Sequence, residues 1–227
     1  IVTEGSARFT VLTPRLIRLE WHNDQKFIND ASFIAINRKL PVPEYSVKRS
    51  NGWLFITTKE LELRYQLQSG KFSNKNLSIK SLTASTAFNW VPGAAQQGNL
   101  KGTSRTLDGY DGDYLTYNKT TLKLEDGLLA TDGWSLIDDS KSLLFDNSEW
   151  KWVKQRPAGE QLDWYFMGYG RQYKKALFDY SQIAGKIPLP PRYAFGYWWS
   201  RYWSYNENEV RDVVKNFERF NIPLDVF

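Results

Sequence analysis

The stretch Leu61-Glu62-Leu63-Arg64-Tyr65-Gln66-Leu67-Gln68 alternates apolar residues with charged or amide residues. A period of two residues is typical of a β-strand that has one face in a protein core and the other in water. Similar alternation occurs at residues 17–21, 122–124 and 162–166. Many short strands with turn signals between them predict an antiparallel β-sandwich over residues 1–170.

Two loops within this β-rich region carry separate predictions. The polar residues 138–142 lie between the apolar runs 136–137 and 143–145, which predicts a β-hairpin. Residues 91–113 are rich in Gly, Asn, Asp and Gln. Loops this long are uncommon in compact domains and are often functional. We therefore expect residues 91–113 to be a functional loop, with a plain surface connection as the alternative.

The periodicity changes to that of a helix in the next segment. Apolar residues at helical spacing run from position 173 to position 184, and Gly185 lies where such a helix would end. The Pro-rich residues 187–191 cannot continue a helix, so they predict a linker. We accordingly predict a helix and linker over residues 171–191 and a further domain over residues 192–227.

Residues 192–227 have the pattern of strand, helix and strand. The run 193–199 is continuously apolar and aromatic, as in a strand that is buried on both faces. Ser204 or Asn206 can cap the following helix, which has acidic residues in its first turn. Residues 222–227 then predict a second strand. The three elements form a βαβ unit, and an eight-stranded parallel barrel is the commonest host for such a unit.

The composition excludes several classes of site and partner. The chain has no Cys, so disulfides, thiolate nucleophiles and Cys-ligated metals are excluded, and its single histidine, His22, is expected to be an ordinary strand-end residue. The net charge is +5, but basic residues are interspersed with acidic ones, so we expect no nucleic-acid partner. No apolar run approaches the ~18 residues of a membrane span. We expect no metal and no cofactor, and either a cytoplasmic or a secreted location.

The aromatic content is high, with 10 Trp, 13 Tyr and 13 Phe. Large aromatic side chains are core material first, because they bury much apolar surface. A surplus can also mark a binding surface, and a carbohydrate-binding β-sandwich is one such case.

Several motifs resemble glycoside hydrolase family 31. Pro190-Pro191-Arg192-Tyr193-Ala194-Phe195-Gly196-Tyr197 resembles the entry to that family's (β/α)8 barrel. Arg201-Tyr202 and Ile222-Pro223-Leu224-Asp225-Val226 follow in the order found in the family. Residues 99–108 resemble a loop of the family's N-terminal domain, and residues 132–140 resemble a segment of one bacterial branch. The earlier residues match only as a generic β-sandwich.

The resemblance implies a fold and a chemistry. The fold is mainly β, with an antiparallel, galactose-mutarotase-like sandwich followed by the truncated start of a (β/α)8 barrel. The family hydrolyses α-linked glucosides or xylosides with retention, which requires two carboxylates about 5 to 5.5 Å apart. In the family both are Asp residues on later barrel strands, beyond Phe227. The resemblance therefore implies no nucleophile and no general acid in this chain, and Asp225 is expected to be only the strand's own Asp.

The resemblance also implies sugar contacts near the start of the barrel. Tyr202 matches an aromatic residue beside the non-reducing sugar, and the alternative is a core tyrosine at the barrel mouth. Arg201 is a second candidate, with a structural ion pair as the alternative. Trp199 is a third, although core packing is favoured for Trp199 as it is for Trp198.

Two further candidate residues lie in the long loop. Arg105 and Asp108 match a region that leans over the barrel mouth in the family, where they could bind the sugar on the leaving-group side. The alternative is that they only satisfy the loop's own hydrogen bonds. The family often has Gly at the position of Lys101, so this residue bears on the loop's local shape.

Three functions are compatible with these observations. The first is an exo-acting α-glucosidase whose substrate is an α-glucoside or α-gluco-oligosaccharide and whose catalytic barrel is completed by the same polypeptide. Within the family, an α-xylosidase or α-transglucosidase is the alternative. The second is a non-catalytic carbohydrate-binding β-sandwich module, and the third is a structural spacer domain.

Overall fold

The structure is a computed structural model that describes residues 1–83, 87–102 and 124–227. The chain divides into two units, Ile1–Lys186 and Ile187–Phe227. The division falls at the start of the Pro-rich stretch, which cannot extend the preceding helix. The finer division of the chain at residues 170 and 191 stays a prediction.

In the described residues, the first unit is built from short strands that form two five-stranded sheets and one two-stranded sheet. The strands in chain order are β1 (Val2–Glu4), β2 (Ala7–Thr13), β3 (Leu16–His22), β4 (Tyr45–Ser50), β5 (Trp53–Thr58), β6 (Leu61–Gln66), β7 (Leu77–Ser81), β8 (Asn89–Trp90), β9 (Ser135–Asp138), β10 (Leu144–Phe145), β11 (Val153–Lys154) and β12 (Gln161–Met167). One five-stranded sheet has the order β1-β2-β3-β12-β9, and the other has the order β4-β5-β6-β7-β8. Their pairings are antiparallel, and β10 pairs separately with β11.

The apolar faces of the two sheets share one core. Leu19 on β3 and Phe166 on β12 lie in the same buried cluster as Ile56 on β5 and Leu63 on β6. The quoted stretch at residues 61–68 behaves as its alternation predicts, because Leu61, Leu63 and Tyr65 are buried while Arg64 and Gln66 are exposed. The predicted antiparallel β-sandwich is therefore confirmed.

Strand β3 differs from a simple amphipathic strand because both of its faces are buried. Arg18 donates two hydrogen bonds to Asp163 on β12, from Nε at 2.8 Å and from Nη2 at 2.7 Å. Glu20 accepts two from Arg8 on β2, both at 2.7 Å. Arg8 and Arg18 also donate to the carbonyl of Ile28, so the segment after β3 covers these charges. Buried charges are tolerated when they are paired in this way.

The predicted hairpin over residues 138–142 is wrong. Strand β9 pairs with β12, whereas β10 pairs with β11. The reason is that Asp139 is fully buried and directs this turn inward. Its carboxylate accepts a hydrogen bond from the Ser32 hydroxyl at 2.6 Å and forms an ion pair with Arg156 at 3.1 Å. The turn residues are therefore held by these side-chain contacts and by hydrogen bonds to Asp163 of β12, and not by pairing between β9 and β10.

A helix packs on the outer face of the first sheet. Helix α1 (Tyr173–Ala184) buries Ala176 and Ile183 in a second cluster with Leu16 and Met167. Its C-cap is Gly185, with φ 97°, a backbone conformation that favours glycine. The helix predicted from periodicity is confirmed.

Helix α2 (Glu207–Arg219) of the second unit begins at the predicted cap. The Asn206 side chain accepts from the Glu209 N–H at 3.0 Å, and the Glu209 carboxylate accepts from the Asn206 N–H at 2.9 Å. This reciprocal pair is a capping box, which satisfies donors that the first helical turn leaves free. Asn221, with φ 53°, follows the helix.

The strand predicted over residues 193–199 is only partly present. Arg192–Phe195 forms a 3₁₀ helix directly after Pro191, whose ring fixes its own φ. Parallel pairing is confined to a bridge between Trp198 and Val226 on either side of α2. The order strand, helix and parallel strand is nevertheless that of a barrel's first βαβ unit.

Candidate functional site

Asp225 joins the two parallel segments of the second unit. Its N–H donates to the carbonyl of Tyr197 at 3.0 Å, and its Oδ2 accepts from the Tyr197 N–H at 2.9 Å. The Trp199 N–H donates to the carbonyl of Val226 at 2.9 Å, which extends the pairing. The Asp225 carboxylate therefore has a structural partner, in agreement with its expected role as the strand's own Asp.

The three candidate sugar contacts at the barrel start have different surroundings. Tyr202 is fully exposed. The guanidinium carbon of Arg201 lies 4.7 Å from the ring centroid of Trp203. The ring of Trp199 packs edge-on against Phe217 of α2, with centroids 5.5 Å apart. Tyr202 and Arg201 are thus open to a ligand, whereas Trp199 has a packing role on the helix side and its sugar contact stays a prediction.

The second unit has no buried residue of its own, although it is rich in apolar side chains. Its exposed large apolar residues are Ile187, Leu189, Tyr193, Phe195, Tyr197, Trp198, Tyr202, Trp203, Phe220, Ile222 and Phe227. A single βαβ unit cannot cover both faces of its strands, because parallel strands are normally enclosed by helices on one or both sides.

The base of the long loop is an antiparallel pairing in the first unit. The Leu100 N–H donates to the carbonyl of Leu129 at 2.9 Å, and the Gly102 N–H donates to the carbonyl of Glu125 at 2.8 Å. Residues 103–123 of this loop lie outside the described part of the chain. The candidates Arg105 and Asp108, and Leu122 of the predicted strand 122–124, fall among them.

Asn99 fixes the conformation of this loop base. Its Oδ1 accepts from the N–H of Lys101 at 2.7 Å and from that of Gly127 at 2.8 Å. Its Nδ2 donates to Oε1 of Gln96 at 2.6 Å and to the carbonyl of Gly127 at 3.0 Å. Because both ends of the amide are occupied, Asn99 acts as scaffold and is not available to a sugar.

Lys101 occupies a backbone conformation that suits glycine. Its φ is 64°, in the left-handed region, at the position where the family often has Gly. Its Nζ forms an ion pair with Asp126 at 2.6 Å across the loop base. A Cβ on Gly127 would lie 2.4 Å from the Lys101 carbonyl oxygen, so the two segments approach closely. The loop base therefore holds a residue other than glycine in the left-handed conformation.

Two buried carboxylates of the first sheet are structural. Burial would raise the pKa of Asp163, but its hydrogen bonds and ion pairs with Arg18 and Arg156 hold that pKa below its ordinary value. Burial raises the pKa of Asp139 above its ordinary value. Arg156 bridges the two, at 2.9 Å from Asp163 and 3.1 Å from Asp139. Both carboxylates are inaccessible, so they cannot serve as an acid and a nucleophile toward a substrate.

Sequence reasoning missed one exposed feature of the first unit. Trp150 and Trp152 lie in the loop between β10 and β11 with most of their surface exposed. The signal was present, since the turn formers Asp146 to Ser148 precede a Trp-Lys-Trp alternation in a polar segment. The described residues contain no cluster of acidic and histidine side chains that could hold a metal ion. None of the described helices is long and apolar enough to cross a membrane.

Comparison with known proteins agrees with the motifs. Residues 187–227 match the family model for the glycosyl hydrolases family 31 TIM-barrel domain. The α-xylosidase of Saccharolobus solfataricus is 32% identical over 103 residues, which are 44% of this chain and 14% of that protein. Alpha-glucosidase 2 of Bacillus thermoamyloliquefaciens is 41% identical over 68 residues, which are 30% of this chain and 8% of that protein. The chain thus spans a small part of the length of these relatives.

A solved structure shows the same fold. The family 31 dextranase of Flavobacterium johnsoniae, in complex with isomaltotriose, superposes with a TM-score of 0.53 at 18% identity. The match covers 96% of this chain and 30% of that protein. The sandwich and the start of the barrel therefore occur together in a known enzyme structure. Together with the barrel-domain match and the relatives, this fold supports a member of glycoside hydrolase family 31.

Proposed function

We propose that this chain is the N-terminal part of a retaining, exo-acting α-glycosidase that hydrolyses α-glucosides or α-gluco-oligosaccharides. The observation that carries the proposal is the βαβ unit in which Asp225 pairs with Tyr197, within the segment that matches the family's barrel domain. Relatives named α-glucosidase and α-xylosidase support a glycosidase activity. In this proposal the sandwich is a non-catalytic domain of the enzyme.

At least three of the five carboxylates of the second unit have structural partners, which supports the view that the catalytic pair comes from elsewhere in the polypeptide. Glu207 pairs with Arg211, and Glu209 belongs to the capping box of α2. Asp225 is occupied by the Tyr197 N–H. Retaining hydrolysis needs a nucleophile and an acid facing one sugar from about 5 to 5.5 Å apart. The chain by itself is therefore expected to be inactive.

Tyr202 is the residue of this chain that best fits a role in substrate binding. It follows the paired strand residues Trp198 and Trp199, and active sites of such barrels assemble where the parallel strands end. An exposed aromatic ring offers a flat apolar surface to the C–H face of a pyranose. Arg201, beside it, would donate hydrogen bonds to sugar hydroxyls. We assign Arg105 and Asp108 to the leaving-group side of the site.

The choice between glucose and xylose depends on side chains that face C6 of the sugar. Among the relatives are both α-xylosidases and an α-glucosidase, together with an isomaltosyltransferase. A glucosidase pocket has hydrogen-bond partners for the 6-hydroxyl, and a site with such partners strongly rejects a sugar that lacks the group. We propose glucose as the substrate sugar and treat xylose as the measured alternative.

The test is an activity panel on the full-length protein. It should hydrolyse an aryl α-glucoside and an α-gluco-oligosaccharide, release the α-anomer first, and act more slowly on an aryl α-xyloside. The 227-residue chain serves as the matched control and should be inactive. Faster hydrolysis of the α-xyloside would show that the substrate sugar is xylose and not glucose. A full-length protein that hydrolyses no α-glycoside but retains the fold would overturn the enzymatic proposal and favour a carbohydrate-binding module.

A further inference from the structure

The loop between β10 and β11 has a defined conformation although it is exposed. Asp146 anchors it, because its N–H donates to the carbonyl of Trp152 at 2.8 Å while its Oδ1 accepts from the Trp152 N–H at 2.9 Å. The same Oδ1 accepts from the N–H of Ser148 at 3.2 Å. The Ser148 hydroxyl lies 2.7 Å from the carbonyl of Trp150. Residues 146–152 are thus a closed loop whose ends are held together.

The loop is also tied to a second segment of the first unit. Asp30 accepts a hydrogen bond from the Asn147 side-chain amide at 3.0 Å and forms an ion pair with Lys154 at 2.8 Å. The Phe145 N–H donates to the carbonyl of Ala31 at 2.8 Å. These contacts lie on both strands that flank the loop. Its orientation on the sandwich is therefore fixed by bonds to a neighbouring segment as well as by its own turn.

Two indole rings are presented by this fixed loop. Trp150 is 84% exposed and Trp152 is 67% exposed. Nearby, the ring of Phe33 packs against that of Phe145 with centroids 4.9 Å apart, and Phe33 is itself largely exposed. A group of exposed apolar side chains within one short loop is a candidate interaction site. An ordered loop reduces the entropy cost of binding, because the rings need not be immobilised by the ligand.

The charges around the rings favour an uncharged ligand. The segment 146–154 carries Asp146 and Glu149 against Lys151 and Lys154, so its formal charges cancel. A nucleic acid or an anionic lipid surface would require an excess of basic residues. A pyranose has no charge, an apolar C–H face for an indole ring, and hydroxyls for amide and carboxylate groups such as Asn147 and Glu149. The combination of side chains therefore fits a sugar better than a polyanion.

We propose that residues 146–152 form a sugar-binding surface on which Trp150 and Trp152 stack against glucose units of an α-glucan chain. The choice of an α-glucan rests on the proposed function, whereas the stacking surface rests on the loop itself. Trp150 and Trp152 are only two residues apart, so their Cα atoms lie within about 7 Å of each other and the two rings can contact neighbouring sugars of one chain. The proposed occupant is thus a polymer or long oligosaccharide.

The experiment is affinity gel electrophoresis of the full-length protein in gels containing dextran or soluble starch, with unmodified gels as reference. Wild-type protein should be retarded, and W150A/W152A should lose about tenfold or more of its affinity. W150F/W152F should retain part of it, because phenyl rings still stack. F178A, which removes an aromatic side chain that is 58% exposed on α1, is the matched control and should behave as wild type.

Three results would decide against the proposed sugar-binding surface. Wild-type protein that migrates equally in all gels, or a double Trp variant that is retarded as strongly as wild type, would overturn it. Size-exclusion chromatography with light scattering should give the same mass for both proteins. A dimeric wild type that becomes monomeric in W150A/W152A would instead make the rings a contact between copies. Glucan retardation without any hydrolysis would refute the proposed enzyme but leave this surface standing.

Discussion

Gly196 and Asp225 are in such close approach that a Cβ on residue 196 would lie 2.1 Å from Cγ of Asp225 and 2.6 Å from its Cβ. The backbone of Gly196 is extended, with φ −86°, so the requirement for glycine is one of space and not of backbone conformation. The contact exists because the Asp225 carboxylate turns back to accept the Tyr197 N–H. The Gly of the barrel-entry motif thus leaves the space that the Asp of the following segment occupies.

G196A is expected to destabilise the barrel, because the added methyl must displace both Cβ and Cγ of Asp225. Overpacking of this kind costs roughly 1–3 kcal/mol. The melting temperature of the full-length protein should fall, and the effect should be smaller in G196A/D225A than the sum of the single variants. G102A is the control, since a Cβ there would meet its nearest atom at an ordinary 3.6 Å. Equal melting temperatures for G196A and G102A would contradict the packing argument.

Lys101 gives a second prediction, on the shape of the long loop. K101A and K101G both remove the ion pair with Asp126, but only glycine adopts φ 64° without a steric cost. K101G should therefore be more stable than K101A by about 1 kcal/mol in urea denaturation of the 227-residue chain. The comparison cancels the contribution of the ion pair. A more stable K101A would show that the loop base is not held in the left-handed conformation.

The buried charges of the first sheet give a third prediction. D163N leaves Arg18 and Arg156 without their shared carboxylate, and breaking a buried pair costs about 3–5 kcal/mol. D139N should cost much less, because burial already raises the pKa of Asp139 and so disfavours its ionised form. The two free energies of unfolding, measured at neutral pH by urea denaturation, should differ by about 2 kcal/mol or more. Equal losses of unfolding free energy in D163N and D139N would refute this difference between the two carboxylates.

The pH dependence of stability should separate the same two carboxylates. The folded-state pKa of Asp163 is lowered, so its stabilisation is present above its unfolded pKa, about 3.9, and is lost as the pH falls through the folded value. The folded-state pKa of Asp139 is raised, so its ionisation opposes folding as the pH rises above the unfolded value. In D163N the free energy of unfolding should therefore fall less steeply as the pH is lowered. D139N should instead remove the loss of unfolding free energy that the ionisation of Asp139 causes as the pH rises towards neutrality.

Local sequence signals predicted the helices well and the buried charges poorly. The capping box of α2 involves Asn206 and Glu209, which are three residues apart, so the signal is complete within one helical turn. Arg18 and Asp163 are 145 residues apart, and alternation alone would place Arg18 in water. The predicted hairpin at residues 138–142 is wrong for the same reason, since the contact between Asp139 and Ser32 spans 107 residues. Patterns of period two report burial of one face but not what covers the other.

The candidate site was predictable only to the extent that it lies in a motif. Tyr202 follows the barrel-entry sequence, and its full exposure agrees with a residue available to a ligand. The sequence alone could not decide whether Trp199 contacts a sugar or packs in the core. Its orientation depends on the packing of α2, where Phe217 contacts it. The Trp-Lys-Trp alternation at residues 150–152 is a local signal, but the exposure of both rings and the bonds by which Asp146 holds their loop are apparent only in the structure.

The loop anchored by Asp146 yields a further prediction, on preorganisation. D146A removes the acceptor of the Ser148 and Trp152 N–H groups without touching either indole ring. Retardation in glucan gels should weaken, by less than in W150A/W152A, because the rings remain but must be ordered on binding. D24A, at another exposed carboxylate of the first unit, is the control. Unchanged retardation of D146A would mean that the loop's bonds do not contribute to binding.

The last prediction concerns Tyr202 and Asp108 in the full-length enzyme. Loss of one hydrogen bond to a sugar hydroxyl is worth roughly 0.5 to 1.5 kcal/mol, so D108A should lower kcat/KM on an α-gluco-oligosaccharide by about tenfold or less. Y202A should lower it further, because the ring would contact the sugar that becomes oxocarbenium-like in the transition state. Y202F should lie nearer to wild type, since it keeps the stacking face and loses only the hydroxyl. F178A, at an exposed ring of α1, should have wild-type kinetics. If Y202A and D108A both matched wild type in correctly folded enzyme, the sugar contacts proposed for this chain would be wrong.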